Sequence, residues 1–377
     1  MTNRPLFSLV LAVTLFAMNS FAQAATLSLS NVPLYLGGSV APNVVLTLDD
    51  SGSMQWENMP DDNWTYYLYP RPTGVYGPNT YGNYVPRFED ITYSVRIRSS
   101  YNNKIYYNPA VTYIPWSNAD GSSMGNVSPN CAPHNPNNTA LGCRNLTQNN
   151  NQYANWEYYN GNEAGFPGGV SSWYYQDQFW PAVYYKYTGG DSWSVSSYQK
   201  VEIRSGSNYV GGPDREDCAN APVCSYQEEI QNFANWYSYY RSRILAARAG
   251  IGRAFGSQGQ GMRVGFAAIN QGGKTLDNVW SNQAMITGVR PFSGADRDNF
   301  FDQLYGRNIG TSGTPLRSAT KNVGDYYERT DNRGPWGETP GTDDNTDQLT
   351  CRQSYNILMT DGYWNGSDPS VSNSDNN

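Results

Sequence analysis

Asp49, Ser51 and Ser53 place one carboxylate and two hydroxyls at alternate positions, directly after the apolar run 44–48. That run, Val-Val-Leu-Thr-Leu, has the composition of a strand buried on both faces, as in a parallel sheet covered by helices. Open α/β sheets bind ligands beyond the carboxyl ends of their strands, which is where this loop falls. Its side chains are hard oxygen donors, which suit Mg²⁺, Mn²⁺ or Ca²⁺ and offer zinc or copper little to hold. Asp-Ser-Gly-Ser is also ordinary turn chemistry, so the loop alone is half an argument.

Two later stretches can supply the other half. Residues 310–317, Gly-Thr-Ser-Gly-Thr-Pro-Leu-Arg, put Thr314 at an expected helix N-cap and Pro315 at the first helical position. Residues 355–362 form a second short apolar run that ends in Asp361. In this order the pieces resemble the metal-ion-dependent adhesion site of von Willebrand factor type A domains. That pattern is Asp-x-Ser-x-Ser, then a distant Thr, then a distant Asp. Carried over residue by residue, the resemblance selects Asp49, Ser51, Ser53, Thr314 and Asp361. It implies an α/β fold with a doubly wound, mostly parallel sheet. It also implies a divalent cation, Mg²⁺ foremost with Mn²⁺ or Ca²⁺ as alternatives, and an open position that takes an acidic side chain of a partner.

Composition narrows the function classes. The chain has 377 residues and a net charge of −7, with 25 basic against 32 acidic side chains. Neither a basic stripe for nucleic acid nor a polybasic cluster for anionic lipid is present in the sequence. The single histidine, His134, lies in a Pro/Asn-rich loop between Cys131 and Cys143 and is expected to be solvated. One histidine leaves no easy Ser-His-Asp triad or histidine-rich zinc site. Ser51 stands in no G-x-S-x-G elbow, and the chain is read as non-enzymatic.

Residues 1–24 have a short basic start, an apolar run over 5–21 and an Ala22-Gln23-Ala24 ending, the pattern of a secretory signal peptide. The expected mature protein is exported, with no membrane span after cleavage. Five cysteines suit an oxidising compartment. Cys131 with Cys143 and Cys218 with Cys224 are the economical local pairs, which leaves Cys351 over.

Four segments follow along the chain: the signal peptide; 25–56, with the first strand and metal loop; 57–224, an inserted Tyr/Asn/Gly-rich subdomain, β or irregular; and 225–377, the rest of the sheet domain, truncated. Within the insertion, alternation predicts strands at 91–97 and 198–204. Ser225 and Glu228 form an expected capping box. Behind it Ile230, Phe233, Tyr237, Tyr240, Ile244, Ala247, Ile251 and Phe255 recur at helical spacing up to Gly256. This predicts one long crossover helix, displaced by the insertion. A strand is expected at 262–269, another within 279–289, and helices at 296–305 and 315–328. The acidic stretch 343–347 lacks the glycine and terminal glutamate of an EF-hand loop and is expected to be solvated. A complete sheet of this kind needs about two more strands after Asp361, so the chain is read as the front part of a longer protein.

A second signature narrows the family. Residues 104–116, Lys-Ile-Tyr-Tyr-Asn-Pro-Ala-Val-Thr-Tyr-Ile-Pro-Trp, and 359–366, Met-Thr-Asp-Gly-Tyr-Trp-Asn-Gly, resemble the amino-terminal half of the PilC/PilY family. These are type IV pilus tip adhesins and assembly factors of Gram-negative bacteria. The resemblance implies pilus biogenesis and surface or host-cell attachment. It places the protein in the periplasm, the outer membrane or at the pilus tip on the cell surface. Its implied partners are pilin or minor pilin subunits and a host-cell or surface ligand with an acidic group. The alternative is a lectin-like protein, because aromatic faces such as those of the insertion stack on sugars.

Overall fold

In the computed structural model, residues 40–60, 66–159, 170–344 and 348–371 are described. The expected signal peptide, residues 25–39, part of the acidic stretch 343–347 and the tail 372–377 lie outside the described residues.

Strand β1 (Asn43–Leu48) is buried along its whole length, as its composition requires. It runs into a short 3₁₀ turn, Gly52–Gln55. The segment expected as an insertion then carries β2 (Tyr84–Pro86), helix α1 (Thr92–Ile97), the long strands β3 (Asn150–Tyr159) and β4 (Val170–Phe179), and the pair β5 (Val183–Tyr187) and β6 (Tyr198–Glu202). Helices α2 (Tyr226–Tyr239) and α3 (Arg243–Gly256) lead to β7 (Arg263–Ala268) and β8 (Met285–Pro291). Helices α4 (Gly294–Gly306) and α5 (Leu316–Tyr327) precede the last strand, β9 (Ser354–Met359).

The central sheet has the order β8-β7-β1-β9. β1 pairs in parallel with both neighbours, Leu48 standing opposite Ala268 on one side and Met359 on the other. β8 is antiparallel to β7. Strand alternation sends Val44, Leu46 and Leu48 to a core shared with Phe255 of α3 and Phe300 and Leu304 of α4. Val45 and Ala267 face the other way, against Val323 and Tyr326 of α5. Helices thus cover both faces of a mostly parallel sheet, as expected. Among the described residues no helix is long and apolar enough to cross a membrane.

In this segment β3 and β4 form one antiparallel ladder, and β2 is parallel to β3. Its core is aromatic: Tyr69, Tyr106, Tyr107, Trp156 and Tyr184 gather around Phe233 and Trp236 of α2. Both local disulfides, Cys131–Cys143 and Cys218–Cys224, are formed, and Cys351 is unpaired and exposed.

Four local expectations are corrected. Residues 91–97, expected as a strand, hold the helix α1. Val95 enters a small core with Val183, Ile97 enters the aromatic core, and the buried Arg98 guanidinium donates to the carbonyls of Leu68 and Pro86. These tertiary demands outweigh a short alternation. The single crossover helix is two helices. Arg241, at the break, is buried and donates to Glu57 and to the carbonyl of His134, while Ser242 caps α3. Continuous apolar spacing conceals such a break. The strand expected within 279–289 begins inside that range, at Met285, but runs on to Pro291, and Trp280–Asn282 ahead of it turn back on Lys274–Leu276 as a small hairpin. His134 is buried, not solvated: its Nδ1 lies 2.8 Å from the Tyr237 hydroxyl.

Candidate metal centre

Parallel pairing in register brings the ends of β1 and β9 out side by side, so Asp49 emerges next to Thr360 and Asp361. The Asp49 amide donates to Met359 O at 2.9 Å and continues the ladder one residue past the strand. Its side chain is fully buried. Oδ1 accepts the Ser51 amide at 2.9 Å, and Oδ2 accepts the Thr360 hydroxyl at 2.8 Å. The Ser51 and Ser53 hydroxyls lie 3.2 Å apart.

The threonine loop closes on this loop from the other side. The Gly52 amide donates to Ser312 O at 2.9 Å. A β-carbon on Gly52 would meet the Tyr81 hydroxyl at 2.1 Å and the Thr311 Cα at 3.1 Å, which is why the second position after Asp50 is glycine. Thr314 is buried, and its amide donates to Asn365 Oδ1 at 2.8 Å while the Asn365 amide donates back to Thr314 O at 3.0 Å. The expectation of Thr314 as N-cap is shifted by one: Pro315 occupies that place and α5 starts at Leu316. Thr314 has its backbone committed to Asn365 instead. Asp361, two residues beyond the end of β9, accepts from Arg243 Nη1 at 2.7 Å through Oδ2.

Direct hydrogen bonds therefore join all three loops: Gly52 to Ser312, Thr314 to Asn365, and Asp49 to Met359 and Thr360. Asp50 is diverted from the site, with Oδ2 held by Arg307 at 2.6 and 2.8 Å and Oδ1 accepting the Asn270 amide at 2.8 Å.

The electrostatics of Asp49 suit a cation. Burial pushes its carboxyl above the usual range; hydrogen bonds from Ser51 and Thr360 oppose that shift, and the nearby Asp361 carboxylate adds to it. A buried carboxylate whose charged form is disfavoured gains from a positive ion beside it. Among the described residues no three His, Cys, Asp or Glu side chains gather as a metal cluster. The site offers two carboxylates, Asp49 and Asp361, and otherwise hydroxyls, a donor set for a hard ion rather than zinc. Sequence reasoning missed Thr360, Arg243, Asn365 and Asn270. Thr360 directly precedes Asp361 and was legible as a polar strand end. Arg243 was concealed within an apolar helical repeat, and nothing local marks Asn365 as the partner of Thr314.

Neither a protein-family model nor a solved structure matches the chain. Curated relatives do. In an alignment of 365 positions that covers 93% of its length, the chain is 32% identical to the type IV pilus biogenesis factor PilY1 of Pseudomonas aeruginosa strain PAK. The chain is similar to pilus biogenesis factors. PilY1 of strain PAO1 matches at the same 32% over 93% of the chain, and PilY1 of strain UCBPP-PA14 at 30% over 96%. The chain spans about a quarter of the length of these PilY1 proteins, 26% in each case. The matches run across both the aromatic insertion and the sheet, since they cover nearly the whole chain.

Proposed function

We propose that this chain is an exported, non-enzymatic adhesion and assembly module of a type IV pilus biogenesis factor. Its sheet acts as a von Willebrand factor A-like domain. Asp49, Ser51, Ser53, Thr314 and Asp361 hold one divalent cation, Mg²⁺ foremost, directly or through water. The observation that carries this reading is the buried Asp49 carboxylate, held by Ser51 and Thr360 where three loops are tied together. Similarity to PilY1 supports the pilus role. Bound there, a cation would supply Lewis acidity for the carboxylate of a partner, since the three hydroxyl ligands are neutral and cancel none of its charge. Pilin or minor pilin subunits and acidic surface ligands are the proposed partners. Residues 1–24 are proposed as a cleaved signal peptide, and 57–224 as an insertion between two parts of one domain, 25–56 and 225–377. Binding of purified pilin to the immobilised chain tests the reading. Chelation with EDTA and the Asp49→Ala change should each weaken binding at least tenfold. Equal binding in all three conditions excludes a role for the metal.

One observation favours a second reading. Tyr153 on β3 and Tyr174 on β4 stack at 5.4 Å while 55% and 69% exposed, an aromatic platform of the kind that binds sugar rings. A glycan array probed with the whole chain should then show hits that Tyr153→Ala and Tyr174→Ala abolish. No hits above background would remove this lectin-like alternative.

A further inference from the structure

Arg243 is the first residue of α3, a position usually given to small or acidic side chains because the helix N-terminus is already positive. Here the arginine is buried and tied to the segment that follows the metal loop. Its amide donates to Trp56 O at 3.0 Å, its Nε to Asn58 O at 2.8 Å, and its guanidinium lies 4.8 Å from the Trp56 ring centroid. Nη1 then reaches across to Asp361 Oδ2 at 2.7 Å, with the two side chains only 3% and 5% exposed. A helix start, the metal loop's exit and the final candidate ligand are thereby fixed to one guanidinium.

We infer that Arg243 is a positioning residue of the cation site: it occupies one oxygen of Asp361, limits that carboxylate to a single-oxygen contact, and keeps the bound ion weakly neutralised. This rests on the proposed cation site. With Asp361 free to engage fully, two carboxylates would cancel most of the charge of a divalent ion, and an incoming acidic group would gain little. With one Asp361 oxygen held by a cation, the ion retains charge for the partner and is itself held less tightly. Two effects oppose each other when Arg243 is removed. Asp361 loses an orienting contact, which costs a little side-chain entropy on binding metal. The site loses a positive charge a few ångströms from a divalent ion, in a partly desolvated place. The second effect is the larger, so removal should tighten metal binding. A merely structural residue would, on removal, loosen it.

The test is Mn²⁺ titration by calorimetry of the whole chain, comparing wild type, Arg243→Gln, Arg243→Lys and the double change Arg243→Gln/Asp361→Asn. The Arg243→Gln variant should bind Mn²⁺ about tenfold more tightly, Arg243→Lys should return near the wild-type value, and the double variant should lose the gain. Equal or weaker binding by Arg243→Gln overturns the inference while leaving the cation site in place. A wild-type chain that binds no Mn²⁺ overturns the cation site itself, and this inference with it. Loss of a buried partner for Asp361 can prevent folding. In that event both proteins are titrated with Mn²⁺ in trimethylamine N-oxide, at a concentration that restores the folded variant. Tighter binding by Arg243→Gln than by wild type under that condition supports the inference, and equal or weaker binding overturns it.

Discussion

His134 occupies a loop whose Pro and Asn content predicts a solvated imidazole, yet the ring is buried against Tyr237. Burial, with the Arg144 and Arg241 guanidiniums nearby, pushes it down from 6.5 to about 2. Between those values the native protein binds fewer protons than the unfolded chain. The neutral ring's contribution is therefore complete above pH 6.5 and is lost as pH falls. The loss should reach about 1.5 kcal/mol between pH 6.5 and 5, read from urea midpoints, and His134→Gln should flatten that part of the profile. Asn365 gives a second check. Its side-chain oxygen accepts the Thr314 amide, so Asn365→Ala should cost about 1 kcal/mol and weaken Mn²⁺ binding several-fold by loosening the threonine loop. At this scale the residue types of the candidate site, oxygen donors that end apolar runs, could be read from the sequence. What holds them could not. Asn365 and Arg243 act on residues 51 and 118 positions away, and no local pattern encodes such distances.

Elements followed the same division. β1, β7 and β9 were legible from composition and from the carboxylates or turns that end them. The capping box at Ser225 is present in full, Ser225 Oγ accepting the Glu228 amide and the Glu228 carboxylate accepting the Ser225 amide. Ser225→Ala should cost about 1 kcal/mol in chemical denaturation, a loss that leaves Mn²⁺ binding unchanged. Apolar spacing ran without pause from α2 into α3, so the break between them is invisible to periodicity. It is imposed by Arg241, whose guanidinium joins Glu57, the Tyr237 carbonyl and the His134 carbonyl in the interior. The same cause converts 91–97 from an expected strand to α1. Buried arginines that serve distant carbonyls decide the local backbone, and a reading by hydrophobic pattern cannot see them.

At the scale of the whole molecule, the insertion and the sheet are joined by shared packing. Trp116, from the insertion, is buried in the core that covers one face of β1, donates to the Tyr239 carbonyl at 3.0 Å and stacks on Tyr305 of α4 at 4.7 Å. Trp116→Ala should therefore cost about 3–5 kcal/mol, and near-UV and far-UV circular dichroism should show one coincident transition at a lower midpoint. Two separate transitions would mean that the insertion folds independently. The α/β class was legible from the order of apolar runs and helical repeats along the chain. The insertion's aromatic core around α2 was not, since its members are spread from Tyr69 to Tyr237. The central claim is that folding draws Asp49, Thr314 and Asp361, far apart in the chain, around one divalent cation. Anomalous diffraction from crystals soaked in Mn²⁺ tests it most directly. The account predicts one manganese peak about 2.1–2.2 Å from oxygens of the Asp49, Ser51 and Ser53 set, with Thr314 and Asp361 in contact directly or through water. A fully soaked crystal with no peak at that loop, or with its peak elsewhere, would contradict it.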